Sequence, residues 1–155
     1  MKALSKSGLR ALAALTLAAP VLLAAPVRAG DRILVSGVYL GLAVLEATDP
    51  AQPRQGAVFG MEQGVIGGLA VEADGRTAWV AFSARGLGVF DVDGDKLRDL
   101  GRVPGVPNAR DVALSGGYAY VGRGAVLDGT GKRVLERGGV GIVDAVARRE
   151  IARLP

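Results

Sequence analysis

The 155-residue chain contains no cysteine and no histidine. Without cysteine there is no disulfide framework and no thiolate nucleophile. Without either residue there is no thiolate or imidazole to hold zinc, copper or haem, and no histidine general base. Aromatic residues are scarce, one Trp, three Tyr and three Phe, so the core must be built mainly from aliphatic side chains. An excess of one charge is missing too, once the first 29 residues are set aside. Lys2, Lys6, Arg10 and Arg28 lie there with no acid among them, which leaves fifteen basic residues against fifteen acidic ones. A neutral chain offers no basic face for phosphates, and nucleic acid is not an expected partner. Beyond residue 29 no apolar run is long enough to cross a membrane.

Glycine, by contrast, is abundant (24 residues) and spread along the chain, which suits many short strands and turns rather than helices. Half of the residues are apolar, enough for one domain held together by strand pairing and burial. The organising stretch is GLGVFDVDGDKL at Gly86–Leu97. Its relatives are GLAVLEATDPAQP at Gly41–Pro53 and GVGIVDAVARRE at Gly139–Glu150. The chain is a repeat array.

Residues 1–29 have the three parts of a secretory signal peptide: Lys2, Lys6 and Arg10, then an apolar Ala11–Ala25 interrupted by Pro20, then Val27-Arg28-Ala29. Cleavage before Gly30 is expected, and the protein is expected to be exported, periplasmic or extracellular, with no stable membrane insertion afterwards. An uncleaved anchor is the alternative; the run falls short of the ~20 residues a spanning helix needs. No cysteine follows it, which excludes a lipoprotein anchor, and the n-region has no twin-arginine pair.

From Asp31 onward short strands alternate with turn signals. The first cycle (31–60) holds Ile33–Ser36, Leu40–Glu46 and, after a proline-fixed loop, Gln55–Phe59. The second (64–104) holds Ile66–Glu72, Thr77–Phe82, Gly86–Val92 and Leu97–Val103. The third (108–155) holds Arg110–Leu114, Tyr118–Gly122, Val140–Asp144 and Glu150–Leu154. Asp74-Gly75 and Asp93-Gly94 are read as type I′ hairpin turns, and an insertion, Arg123–Gly138, interrupts the third cycle. Core strands such as Leu87–Val92 and Tyr118–Val121 are apolar or small on both faces, where a strand covered on one side would alternate. Four such strands per cycle predict an all-β fold, a partial β-propeller of about three four-stranded blades following the signal peptide. A β-sandwich has a similar strand count but gives no reason for self-similar cycles. Trp79 and Tyr120, at matching places in TAWVAF and YAYVGR, are expected to be equivalent core residues.

ARDVALSGGYAYVGRG at Ala109–Gly124, GLGVFDVDGD at Gly86–Asp95 and GLAVLEATDPAQP at Gly41–Pro53 resemble the LVIVD-repeat family of bacterial β-propellers, and more loosely the YVTN-type surface propellers. The resemblance covers nearly all of Asp31–Pro155. It implies an exported or cell-surface propeller and says little about activity. Two features depart from the pattern: Leu45-Glu46 stands where the other repeats have Phe90-Asp91 and Val143-Asp144, and the third repeat carries its insertion. Aligned on the family's blade, the chain after residue 29 lacks the innermost strand of the first cycle. It is then a piece of a larger propeller, or completes its ring with another chain.

The motifs that carry chemistry fail at fixed positions. Asp91, Asp93 and Asp95 open like a calcium loop, but Lys96 and Arg102 stand where glycine and glutamate are required. Gly129-Thr130-Gly131-Lys132 resembles a phosphate loop, but Val126 and Arg133 replace its other fixed residues. Lys132, Arg133 and Arg137 make the insertion locally basic, as a solvated loop would be. Ser36, Ser83 and Ser115 do not stand in a G-x-S-x-G elbow. Asp91 and Asp144 are read as structural carboxylates accepting backbone N–H groups at strand ends, and Arg110-Asp111 as a similar pairing at an inner strand. No catalytic, cofactor-binding or metal residue is assigned, and no cofactor is expected. Two functions remain: a non-catalytic scaffold that binds a protein partner or self-associates through uncapped blade faces, or a truncated propeller enzyme, lactonase-like or quinoprotein-like, whose site lay in missing blades. The insertion is expected to be mobile and dispensable.

Overall fold

The structure, a computed structural model, describes residues 27–29, 32–37, 41–60, 67–132 and 134–155. Most of the signal-peptide reading, and Leu40, Ile66 and Arg133, lie outside the described residues. Among the described residues there are fourteen strands and no helix. Three antiparallel four-stranded meanders follow one another. The first is β1 (Val27–Ala29), β2 (Arg32–Gly37), β3 (Gly41–Glu46) and β4 (Arg54–Phe59). The second is β5 (Leu69–Val71), β6 (Thr77–Ala81), β7 (Leu87–Asp93) and β8 (Lys96–Arg102). The third is β9 (Ala109–Ser115), β10 (Tyr118–Arg123), β13 (Gly139–Asp144) and β14 (Arg149–Leu154). Its middle turn is expanded into a separate hairpin of β11 (Val126–Leu127) and β12 (Val134–Glu136). These are three propeller blades, and the insertion contributes the extra hairpin.

The first blade takes its inner strand from Val27–Ala29, which pairs with Arg32–Leu34. This inner strand lies before residue 30, so the expectation, which concerned the chain after residue 29, is not contradicted by it. Three extended residues suffice for the ladder, and they overlap the end of the segment read as the leader.

Adjacent blades bury their facing sides against each other. Leu34, Leu42 and Val44 of the first blade meet Ala78, Val80, Phe90 and Val92 of the second. Phe59, Phe82 and Phe90 cluster there, with ring centroids 4.8 Å apart for Phe59–Phe90 and 5.8 Å for Phe82–Phe90. Arg102 lies over the Phe82 ring at 4.3 Å. On its other face the second blade presents Trp79, Ala81, Leu87 and Val89 to Val112, Ala119, Val121 and Val143 of the third. The blades approach closely through glycine: Gly68 N donates to Arg110 O at 2.9 Å, and a Cβ on Gly67 would lie 2.0 Å from that same oxygen. Gly41 and Gly86, which open the repeated strand, have φ of 77° and 80°, a conformation that favours glycine.

The turns differ from the expected type. At the β7–β8 hairpin Asp93 pairs with Lys96, so the central pair is Gly94-Asp95, and of these only Gly94 (φ 63°) lies in the left-handed region. That is the II′ pattern, with glycine first. Around Asp74-Gly75 again only the glycine is left-handed, and Asp74 Oδ1 accepts from Arg76 N at 2.8 Å in a longer loop. Gly116-Gly117 has both φ values positive, as type I′ requires.

The third blade also corrects an expectation. Trp79 and Tyr120 are at equivalent register, opposite Val89 and Ile142 respectively, yet Trp79 is fully buried and Tyr120 is 39% exposed. Strand β10 alternates exposed and buried residues, whereas β6 is buried almost throughout. No described blade covers the outer face of the third blade, so its apolar residues stand in solvent.

Candidate functional site

Of the residues that sequence singles out for chemistry, most are engaged in the architecture. Among the described residues Asp91 accepts from side chains rather than from the expected backbone N–H groups, pairing with Arg98 at 2.9 Å and with Arg76 at 3.5 Å. Asp144 meets the expectation: its Oδ1 accepts from Val146 N and Ala147 N at 2.9 and 2.8 Å. Across the three blades this repeated acid faces an arginine on the outer strand, Glu46 opposite Arg54, Asp91 opposite Arg98 and Asp144 opposite Arg149. Sequence comparison of the cycles could have found this pairing. Asp91, Asp93 and Asp95 do not converge. Instead, the turn they flank docks on the first blade, with Gly94 O accepting from Arg32 and Asp95 O from Ala57 N. Among the described residues no group of three or more acidic side chains is placed to hold a metal ion.

The Gly129–Lys132 turn caps the inserted hairpin. Asp128 Oδ1 accepts from Thr130 N, Thr130 Oγ1 and Lys132 N at 3.1, 2.7 and 3.1 Å. The N–H groups that a phosphate would need already have a carboxylate of the chain itself. Ser36 is buried, with its Oγ donating to Gly67 O. Ser83 sits in a left-handed turn (φ 50°) and Ser115 at a blade rim. Asp111 Oδ1 accepts from Val112 N beside it, and Arg110 serves the blade contact through its carbonyl.

Three further features stand out, and of these the sequence signals only the third, as an uncapped blade face. The first is a cleft of about 620 Å³ between the second and third blades, on the rim of the β9–β10 and β13–β14 turns; its polar lining includes Glu72, Thr77, Ser115, Tyr118 and Arg148. Glu72 accepts from Trp79 Nε1 at 2.8 Å, so this carboxylate serves the indole. No nucleophile–base pair is formed there among the described hydrogen bonds.

The second is a buried ion network. The Arg123 side chain, only 2% exposed, pairs with Glu136 at 2.8 Å and Glu150 at 3.3 Å, and donates to Pro107 O. Arg153 bridges the same two glutamates. The hydrogen bond to Glu150 raises the Arg153 guanidinium above its ordinary pKa; desolvation opposes this, and the Glu150 and Glu136 charges add to the rise. A raised base contributes stability below its unfolded pKa and loses it only as pH rises through the folded value, so the pairing persists throughout the neutral range. Glu136 belongs to β12, and Asn108 Nδ2 donates to Ala125 O at the hairpin's base. The insertion is therefore tied into the blade, contrary to the expectation of a dispensable loop, because its charged residues complete a buried network.

The third is the outer face of the third blade. Tyr118, Tyr120, Val140 and Leu154 are 39, 39, 37 and 55% exposed and share the face with Ile142, Ala113 and Ala152. In the separate inserted hairpin Leu127, Val134 and Leu135 are exposed as well.

Residues 107–128 match the model of the LVIVD repeat. That stretch is similar to an LVIVD repeat. The match spans the end of the second interblade linker, β9, β10 and the start of the inserted hairpin, so it falls on the blade whose outer face is open. No curated protein sequence matches the chain. Among solved structures the chain is similar to a chain from an S. cerevisiae assembly of a Dbp5 variant bound to Nup159, a Gle1 variant, IP6 and ADP. Identity is 12% and the TM-score 0.51, over 83% of this chain and 35% of that one. At that identity the likeness concerns the fold, and the chain spans about a third of the length of its neighbour.

Proposed function

We propose that this repeat protein is an exported, non-catalytic scaffold that engages a protein through its blade surfaces, in the periplasm or outside the cell. The observation that carries the reading is the open face of the third blade. Tyr120 and Val140 are exposed at the positions where Trp79 and Leu87 of the second blade are fully buried. A contiguous apolar face of this kind marks an interaction surface. The polar residues support the same reading, since the carboxylates and guanidinia described above are engaged in turns, cross-strand pairs and the Arg123 network.

Export is tested by expressing the 155-residue chain and sequencing the N-terminus of the exported material. A start at Gly30 supports the leader reading and removes β1; intact Met1 in the cytoplasm overturns it. The scaffold reading is tested by Tyr120→Asp: partner capture on the exported protein is expected to fall while the circular dichroism spectrum is retained. Unchanged capture would move the binding surface elsewhere.

A further inference from the structure

The two interblade junctions have the same polarity. In each, the face carrying the first and third apolar residues of the repeated strand (Leu42 and Val44, or Leu87 and Val89) points to the following blade. The residue between or beyond them, with the alternate residues of the preceding strand, points back: Ala78, Val80 and Phe90 in the second blade, Ala119, Val121 and Val143 in the third. The unit therefore has a forward and a backward face, and a forward face always meets a backward one.

Two faces remain without a described blade against them. On the third blade it is the forward face, with Tyr120, Val140 and Ile142 at the register of Trp79, Leu87 and Val89. On the first blade it is the backward face, where Ile33 pairs with Leu45 and Val35 with Ala43, at the register of Ala78, Phe90 and Val80. Ile33, Val35 and Leu45 are half-buried, whereas Ala78, Val80 and Phe90 are fully buried. The chain thus displays both halves of the junction that it forms twice internally.

The geometry points to a second copy of this chain as the occupant: the forward face of one copy's third blade seats on the backward face of its partner's first blade, and reciprocally. This rests on the scaffold reading of the open face and names its partner. Such a contact is heterologous, and heterologous contacts close into rings when the rotation per unit allows it. Two copies supply six blades, within the four to eight of closed propellers.

The test uses the full chain as recovered after expression, in sedimentation velocity over a wide concentration range, with Tyr120→Asp on the forward face and Leu45→Asp on the backward face. The wild type is expected at twice the chain mass. Each variant alone is expected to weaken association by roughly thirtyfold or more, as for a residue at the centre of an interface. An equimolar mixture of the two variants is expected to regain a dimer, because the intact forward face of one meets the intact backward face of the other. A face-to-face dimer of third blades would be insensitive to Leu45→Asp and would not be rescued by mixing, which overturns the proposal. A monomer overturns it too, as does a mass that keeps growing with concentration. A monomer that still captures a different protein through Tyr120 overturns the second copy while leaving the scaffold reading in place. If Leu45→Asp fails to fold, Val35→Cys serves instead. The natural chain has no cysteine, so a short bis-maleimide should join Val35→Cys only to Tyr120→Cys in a mixture of the two; absence of that product again overturns the arrangement.

Discussion

Blades two and three are nearly the same sequence pattern in two different surroundings. TAWVAF and YAYVGR hold the same register against GLGVFD and GVGIVD, yet the forward face is dry in one and wet in the other. The strands do not differ in kind. What differs is whether another blade lies on top, and in a stacked repeat the burial of a residue belongs to the junction rather than to the unit.

The sharpest way to break the comparison is to make the same truncation in both blades. Trp79→Ala should cost about 3–5 kcal/mol in urea unfolding, since it removes a fully buried indole from the second junction. Gly67→Ala should cost about 1–3 kcal/mol, because its Cβ would meet the Arg110 carbonyl and force the blades apart. Glu136→Gln should cost about 1–2 kcal/mol by leaving Arg123 with a weaker partner at a site that water barely reaches. Tyr120→Ala, measured on dissociated chains, should cost under about 1 kcal/mol, as for a surface substitution. If Tyr120→Ala were as damaging as Trp79→Ala at high dilution, the face would be covered from within the chain. If Trp79→Ala were harmless, the junction would be held by something other than its apolar centre.

The blades were legible because their signals are local. The repeated glycine, the apolar strand ending in an acid and the turn residues all lie within one cycle, and the strands of the second and third cycles outside the insertion fall close to where the spacing places them. The turn types were not, because an Asp-Gly pair does not say whether the glycine stands first or second in the loop; the ladder pairing decides that. Tyr120 was read as core because its own sequence resembles that of a core strand, while no described blade lies against it. The Arg123 network was invisible for a different reason. Its partners lie 13 and 27 residues further along the chain, on strands whose approach is set only by the folded blade.

The inserted hairpin also bears on how the chain reaches this state. In the second blade the turn from Ala81 to Leu87 brings β6 and β7 together directly, but in the third the chain must travel from Arg123 to Gly139, about three times as far, before β10 can meet β13. Closing the longer loop costs about 1 kcal/mol more from chain entropy alone. The β11–β12 ladder reduces this by folding the excess onto itself, and the Arg123–Glu136 contact then fixes its base. The third blade therefore closes its central strand pair at a larger entropic cost than the second, and the small hairpin with its Arg123–Glu136 contact offsets part of that cost.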